Sequence, residues 1–130
     1  MAEQQPLILI VDDEPDFREI FKIKLSAGGM RVETAMNGKE GIEKVKQLKP
    51  DLVLMDVNMP IMDGAQALLE LRKDPATKDV KVVFLTSLGD PRQEMQALNR
   101  KFSEELGAQG YIRKTDNLDG IYDQIRAVLK

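Results

Sequence analysis

Five side chains that can do chemistry follow short apolar runs in this sequence. The run LILIV is followed by Asp12 and Asp13, LVLM by Asp56, KVVFL by Thr86, and QGYI, after one arginine, by Lys114. Short apolar runs bounded by turn residues are typical of buried strands, although a buried helix segment gives the same local pattern. If the runs are parallel strands of one sheet, their carboxyl ends share an edge, and three carboxylates, a hydroxyl and an ammonium meet there.

The chemistry of such a set is limited by its charge. Two carboxylates about 4 Å apart repel by roughly 4 kcal/mol at an effective dielectric constant near 20, and one ammonium does not offset three of them. The sequence has no histidine and no cysteine, so a metal here is bound by oxygen, which points to Mg²⁺, with Mn²⁺ as a substitute. A divalent cation, a lysine and a hydroxyl around one carboxylate stabilise a transferring phosphoryl group. The carboxylate itself can be the nucleophile and form an aspartyl phosphate.

Each of these side chains also has a purely structural interpretation. Asp12 or Asp13 caps a helix, Asp56 starts a turn, Thr86 ends a strand, and Lys114 is solvated. Their joint placement at the ends of four predicted strands favours a functional site over four separate coincidences.

The elements that must position these side chains alternate along the chain. The predicted strands are Leu7–Val11, Arg31–Ala35, Leu52–Met55, Lys81–Leu85 and Gln109–Ile112, and an amphipathic helical pattern follows each of them. This alternation predicts an α/β fold: a single flavodoxin-like (βα)5 domain over residues 1–130, with a five-stranded parallel sheet of order 2-1-3-4-5 and helices on both faces. The second strand is the most polar, which suits an edge of the sheet.

Capping signals predict where five helices begin. Pro15 stands in the first turn of the first helix, Asn37 with Glu40 resembles a capping box for the second, and Asn117 caps the fifth. The third and fourth helices begin at Asp63-Gly64 and Asp90-Pro91. The side chains predicted to face the sheet are Phe17, Ile20, Phe21 and Leu25; Ile42, Val45 and Leu48; Ala67, Leu68 and Leu71; Met95, Leu98, Phe102 and Leu106; and Leu118, Ile121, Ile125, Val128 and Leu129.

Bulk properties exclude several classes of function. The formal net charge is −3 and there is no basic run, so we expect no binding of nucleic acid by this chain. No apolar run approaches the roughly 20 residues of a membrane span, and residues 1–5 have no basic signal-peptide region, so we expect a cytoplasmic domain without membrane contact. The fifth predicted helix runs nearly to Lys130, which leaves two alternatives: a single-domain protein, or one part of a longer protein.

In combination, these motifs resemble the CheY-like receiver domain of bacterial two-component response regulators. The resemblance covers essentially all 130 residues and is carried by Asp12-Asp13, by Asp56 within DVNMPIMDG, by Thr86-Ser87, and by Tyr111 three residues before Lys114. It implies that a histidine kinase or a phosphotransfer protein supplies the phosphoryl group. Because this chain has no histidine, it is not that donor.

The resemblance also implies a role for each residue of the site. Asp56 is the phosphoacceptor, and Asp13 and Asp56 bind Mg²⁺ directly together with the backbone carbonyl of Asn58, whereas Asp12 acts through water. Lys114 pairs with the phosphoryl oxygens. Such a domain is not a dedicated enzyme, but it catalyses its own phosphoryl transfer and its autodephosphorylation.

Two further residues are implied to transmit the signal. Thr86 moves toward the phosphoryl group and Tyr111 rotates inward behind it, which changes the surface of the fourth helix, fifth strand and fifth helix. A downstream protein binds that surface, and the domain is a monomer or a phosphorylation-dependent dimer. Tyr111 also has a structural interpretation, as a half-buried aromatic side chain at the sheet edge.

The sequence departs from the family pattern after the fourth strand. Thr115 stands where the family commonly has a cis proline, so we expect either a trans bond or a strained cis bond there. The span from Thr86 to Lys114 is several residues longer than usual, with the extra length in residues 89–106. Leu88 and Asn58 occupy positions that influence the lifetime of the phosphoryl group.

Three alternatives to the switch function are open. An aspartyl-nucleophile phosphatase usually carries D-x-D after its first strand, whereas Asp12 and Asp13 are adjacent here. A flavin or dinucleotide binder needs a glycine-rich turn that this sequence lacks. A receiver-like docking module that does not switch is compatible with Thr115 and with the longer fourth helix.

Overall fold

The computed structural model of the protein describes residues 5–57, 61–62, 64–86, 107–114 and 117–129, with the main chain alone for Tyr111. Strands and helices alternate through these residues in the order β1 Leu7–Val11, α1 Pro15–Ala27, β2 Arg31–Ala35, α2 Gly38–Leu48, β3 Leu52–Asp56, α3 Gly64–Lys73, β4 Val82–Thr86, β5 Gly110–Arg113 and α4 Leu118–Leu129. The helix labelled α4 is the fifth of the predicted helices, because the predicted fourth helix lies outside the described residues.

The five strands form one parallel sheet in the order β2-β1-β3-β4-β5. This order confirms the predicted flavodoxin-like topology, with the polar β2 at one edge. Every residue of β1 and β3 is buried, which explains why these two central strands read as continuous apolar runs. The observed bounds of β4 and β5 lie one residue later than predicted.

Alternate residues of the central strands belong to two separate hydrophobic cores, one on each face of the sheet. Ile8 and Ile10 of β1 pack with side chains of α1 and α4 on one face, whereas Leu9 and Val11 pack with side chains of α2 and α3 on the other. Successive strand residues point to opposite faces of a sheet, so one strand supplies both cores. The prediction of helices on both faces is therefore confirmed.

Most of the predicted inward faces are buried, and two residues are not. Ile20 is 49% exposed, so its predicted inward position is wrong: it lies one residue before the buried Phe21, about 100° around the helix from the centre of the packed stripe. Leu48 is 38% exposed because it is the last residue of α2, where Lys49 turns the chain with a positive φ of 49°. Among the described residues, no helix is long and apolar enough to cross a membrane.

The predicted caps of two helices are present. The side chain of Asn37 accepts a hydrogen bond from the N–H of Glu40 at 2.9 Å, and the Glu40 carboxylate accepts one from the N–H of Met36 at 2.6 Å. The Asn117 side chain accepts a hydrogen bond from the N–H of Asp119 at 2.8 Å. The bonds to Asn37 and Asn117 satisfy donors that the first turn of a helix leaves unpaired, and the bond to Glu40 pairs the N–H just before the N-cap residue of α2.

Gly64 allows α3 to begin directly beside the end of β3. Its N–H donates to the carbonyl of Val57 at 2.9 Å. A Cβ at this position would lie 2.5 Å from the carbonyl oxygen of Asp56 and 2.8 Å from the ring of Phe84. A larger residue would therefore push α3 away from the strand end that carries Asp56.

Candidate functional site

The carboxyl ends of four neighbouring strands carry the candidate residues. Asp12 follows β1, Asp56 ends β3, Thr86 ends β4 and Lys114 follows β5. The main chain fixes these positions: the N–H of Asp12 donates to the carbonyl of Ala35 at 3.0 Å, and the N–H of Lys114 donates to the carbonyl of Thr86 at 2.8 Å. The parallel register therefore brings together residues that are up to 102 positions apart in the sequence, from Asp12 to Lys114.

Three carboxylates form a compact cluster at this edge. One oxygen from each of Asp12, Asp13 and Asp56 lies within 4.8 Å of the others. The side chain of Asp12 is fully buried and that of Asp56 is 7% exposed, whereas Asp13 is exposed. The cluster thus has two buried members and one that faces the solvent.

Lys114 places its ammonium among carboxylates. Its Nζ lies 2.7 Å from Oδ2 of Asp12, 2.6 Å from Oε1 of Glu14 and 3.2 Å from Oδ2 of Asp56. The ammonium also lies 4.6 Å from the centroid of the Phe17 ring, a distance at which a cation is attracted to an aromatic face. The lysine side chain is only 6% exposed.

Burial and charge shift the ionisation of both buried partners. Burial raises the pKa of the Asp12 carboxyl above its usual value, and the adjacent Lys114 ammonium and the N–H of Glu14 oppose this rise only in part. Burial acts to lower the pKa of the Lys114 ammonium, but Asp12, Glu14 and Asp56 outweigh it, so that the pKa lies above its usual value. Lys114 is therefore a permanent cation near neutral pH.

The donor set fits a hard divalent cation. Within the part of the chain that the structure describes, Asp12, Asp13, Glu14 and Asp56 provide four carboxylates around the ammonium of Lys114. Oδ2 of Asp12 is buried and, among the described residues, accepts no hydrogen bond of regular geometry, although Lys114 is its charge partner. A cluster of carboxylate oxygens with excess negative charge is the environment that Mg²⁺ binds.

The structure brings together four of the predicted site residues: Asp12, Asp13, Asp56 and Lys114. Thr86 ends β4 at the same edge and is half-buried. The main chain of Tyr111 pairs with Phe84 in the sheet, and nothing is described of its side chain. Asn58, Ser87, Leu88, residues 89–106 and Thr115 lie outside the described residues.

Three residues that were not predicted from the sequence contact the site. Glu14 is not among the predicted site residues and Phe17 is predicted only to face the sheet, yet both contact the ammonium of Lys114. Arg18 was not singled out, and its guanidinium donates to the carbonyl oxygen of Asp12 at 2.7 Å. The available signal was helical spacing, because Glu14 and Arg18 are four residues apart at the start of α1 and so share one face.

Comparison with known proteins identifies what this arrangement is similar to. The family model described as "Response regulator receiver domain" matches residues 8–126. The chain is 33% identical over 125 residues to the "DNA-binding dual master transcriptional regulator RpaA" of Synechocystis sp., an alignment that covers 96% of this chain and 49% of RpaA. The chain thus spans about half the length of the curated relatives that it matches.

Solved structures agree with the family match. A CheY-like response regulator receiver domain protein from Methanospirillum hungatei superposes with a TM-score of 0.84 at 28% identity, covering 97% of this chain and 94% of that one. The chemotaxis protein CheY4 of Vibrio cholerae superposes with a TM-score of 0.82 at 26% identity, covering 96% of this chain and 99% of that one.

Proposed function

We propose that this chain, which belongs to the response regulator receiver domain family, is a phosphorylation-dependent signalling switch in which Asp56 accepts a phosphoryl group from a histidine kinase or a phosphotransfer protein. One observation carries this proposal: the Asp56 carboxylate lies within 4.8 Å of two other carboxylates and 3.2 Å from a buried ammonium. A nucleophile, a set of metal ligands and a fixed positive charge are the parts that phosphoryl transfer to a carboxylate requires.

The proposed reaction has two steps. A carboxylate oxygen of Asp56 attacks the phosphorus of the donor, a new O–P bond forms, and the P–N bond of phosphohistidine breaks with its electron pair leaving on the imidazole. Later, water attacks the same phosphorus, the bond to Asp56 breaks, and inorganic phosphate leaves as the carboxylate is restored. This second step limits the lifetime of the signal.

The side chains around Asp56 would have different roles in the reaction. Asp13, Asp56 and the carbonyl of Asn58 would hold Mg²⁺, with Asp12 acting through water, and the bound ion would neutralise charge on the phosphoryl oxygens. Lys114 supplies a second positive charge beside Asp56. Its ammonium remains protonated because the surrounding carboxylates raise the pKa of Lys114. The burial of Asp56 limits the access of water to the acyl phosphate.

The signal would leave the site through Thr86, at the end of β4, and Tyr111, within β5. We propose that the hydroxyl of Thr86 donates to a phosphoryl oxygen and that Tyr111 follows it inward. The affected surface comprises the predicted fourth helix, β5 and α4, where a downstream protein binds. The relative RpaA, of which this chain spans about half, is named as DNA-binding. For the receiver domain itself we propose action by protein contact in the cytoplasm, as a monomer or a phosphorylation-dependent dimer.

Intact-mass spectrometry with acetyl phosphate and Mg²⁺ tests the proposal. We expect the wild type to gain the mass of one phosphoryl group and Asp56→Asn to gain none, because the amide is not a nucleophile at phosphorus. Asp51→Asn, at the opposite end of β3, is the matched control and should be labelled like the wild type.

Two results would contradict the proposal. Labelling that persists in Asp56→Asn would place the acceptor elsewhere. No labelling of the wild type by acetyl phosphate or by a phosphorylated histidine donor would favour the receiver-like docking module that does not switch.

A further inference from the structure

Glu14 lies outside the three-aspartate cluster. Among the described residues, its carboxylate makes the shortest contact with the Lys114 ammonium. Its Oε1 lies 2.6 Å from the ammonium, compared with 2.7 Å for Asp12 and 3.2 Å for Asp56. The Glu14 side chain is 61% exposed, whereas that of Lys114 is 6% exposed. A buried ammonium is thus held from the solvent side by a carboxylate that is able to move away.

The local structure leaves the Glu14 side chain available for this contact. Glu14 is the N-cap residue of α1, but its side chain makes no capping hydrogen bond. Its N–H donates to Oδ1 of Asp12 at 2.9 Å, and its carbonyl accepts from the N–H of Arg18 at 3.1 Å, so the main chain is fixed at both ends. Because the main chain is already fixed, the contact with Lys114 costs only the rotamer freedom of the Glu14 side chain.

We propose that Glu14 is a positioning residue that shares the ammonium of Lys114 until an anion on Asp56 displaces it. This inference rests on the proposed function, since it concerns the same phosphoryl group. The ammonium is restrained on another side by the Phe17 ring at 4.6 Å, so a phosphoryl oxygen on Asp56 and the Glu14 carboxylate compete for one cation. Glu14 therefore opposes the phosphorylated state both by holding Lys114 and by repelling the incoming negative charge.

The same contact should have the opposite effect on Mg²⁺. Lys114 and a metal ion compete for Asp12 and Asp56, because the ammonium contacts both carboxylates. Glu14 neutralises part of the charge of Lys114 and thereby weakens this competition. Removing the charge of Glu14 should weaken Mg²⁺ binding and strengthen the binding of a phosphoryl-like anion, and a purely structural role would not produce two effects of opposite sign.

The experiment compares the wild type, Glu14→Gln and Asp16→Asn. Asp16 is an exposed acidic residue in the first turn of α1 and forms no ion pair with the described residues, so Asp16→Asn makes the same change in net charge without touching Lys114. The dissociation constant is measured by calorimetry for Mg²⁺ alone and then, at saturating Mg²⁺, for beryllofluoride, which mimics a phosphoryl group on a carboxylate.

For Glu14→Gln we expect the dissociation constant of Mg²⁺ to rise roughly two- to fivefold and that of beryllofluoride to fall by a similar factor, the range of one partly exposed ion pair. Glu14→Asp, which keeps the charge but shortens the side chain, should lie between Glu14→Gln and the wild type. Asp16→Asn should match the wild type in both titrations.

Each contrary result has a separate meaning. If the wild type binds beryllofluoride and Glu14→Gln behaves like Asp16→Asn, the inference about Glu14 is wrong while the proposed function stands. If both affinities of Glu14→Gln fall together, Glu14 is a structural residue and the inference is again wrong. If the wild type binds no beryllofluoride at saturating Mg²⁺, the proposed function fails and the inference fails with it.

Discussion

The two ends of the parallel sheet use charged side chains in different ways. At the carboxyl end, Asp12, Asp56 and Lys114 contact one another and are almost fully buried. At the amino end, charged side chains bond mainly to the main chain. Asp51 accepts a hydrogen bond from the N–H of Leu7 at 2.7 Å, and Lys81 donates to the carbonyl of Val128 at 3.0 Å.

Arg72 is the strongest example at the amino end. Its guanidinium donates to the carbonyl oxygens of Lys78 and Val80 at 2.8 Å each and to that of Gly107 at 3.2 Å. The fork of N–H donors thus ties the end of α3 to the loop before β4 and to the segment before β5. Burial lowers the pKa of Arg72, although Asp79 opposes this shift.

This difference separates a stabilising end from a functional end. Main-chain carbonyls and N–H groups are neutral partners, so charged side chains at the amino end are stabilised by hydrogen bonds without like charges being brought together. Among the described residues, the carboxyl end holds four carboxylates around the ammonium of Lys114, while Arg18 bonds to the carbonyl oxygen of Asp12. Repulsion between these carboxylates opposes folding, and a bound cation would relieve it. Substitutions at the two ends of the sheet test this contrast.

Removing a carboxylate at the carboxyl end should affect metal binding. For Asp13→Ala we expect Mg²⁺ affinity to fall at least about tenfold, equivalent to ~1.4 kcal/mol, because one of three clustered carboxylates is lost. The free energy of unfolding without Mg²⁺ should not fall, since the change removes a repulsive charge. Mg²⁺ titration calorimetry and urea unfolding measure the two quantities. Unchanged Mg²⁺ affinity would show that the metal site is misplaced.

The matched substitution at the amino end should lower stability and leave metal binding unchanged. Asp51→Asn should leave Mg²⁺ affinity unchanged and reduce the free energy of unfolding by about 1 kcal/mol, because it weakens a charge-assisted hydrogen bond to Leu7.

Loss of Arg72 should be the largest stability effect of those considered. Arg72→Ala leaves three carbonyl oxygens without their donor, so we expect the free energy of unfolding to fall by about 2–3 kcal/mol in urea titrations. The control is Lys73→Ala, which removes only the exposed pair with Glu70 and should change stability by less than roughly 0.5 kcal/mol. Equal effects of the two substitutions would remove the special role given to Arg72.

Backbone strain at the carboxyl end offers a stabilising change. Ile61 has a positive φ of 71° and is 78% exposed, a conformation that disfavours β-branched residues. Ile61→Asn should raise the free energy of unfolding by about 1 kcal/mol, because asparagine tolerates this region and little apolar contact is lost. Ile61→Val keeps the β-branch and should have no such effect, so a gain with valine as well would exclude strain as the cause.

The smallest effect is a pH dependence at the amino end. The pKa of Asp74 lies below its ordinary value of 3.8, first because the N–H of Ala76 donates to its carboxylate and second because of Lys46. A lowered pKa in the folded state means that the charge of Asp74 stabilises the fold above the ordinary value and that this contribution is lost as pH falls through the lowered one.

Thermal unfolding of Asp74→Asn over a pH series measures this contribution. We expect the variant to be less stable than the wild type near neutral pH and the difference to vanish at low pH. A constant difference over the whole series would show that the charge of Asp74 is not responsible.

Much of this protein was predictable from the sequence, because local pattern and strand direction carry the information. The alternation of apolar runs and helical spacing determined the five strands, their order and the two-sided packing on the central strands. Parallel strands place their carboxyl ends together, so Asp12, Asp56 and Lys114 could be assigned to one edge without coordinates. The wrong inward prediction for Ile20 arose because helical spacing alone does not determine how wide the buried stripe of a helix is.

Only the tertiary structure decided which distant side chains meet. Glu14 and Lys114 are 100 residues apart, and Arg72 and Gly107 are 35 apart, yet each pair is in contact. Long side chains reach several partners within a few ångströms, and periodicity reports which face a residue occupies but not which partner it selects there. The sequence therefore determined the strand ends that carry the carboxylates, whereas the folded chain decided that a fourth carboxylate, Glu14, shares their lysine.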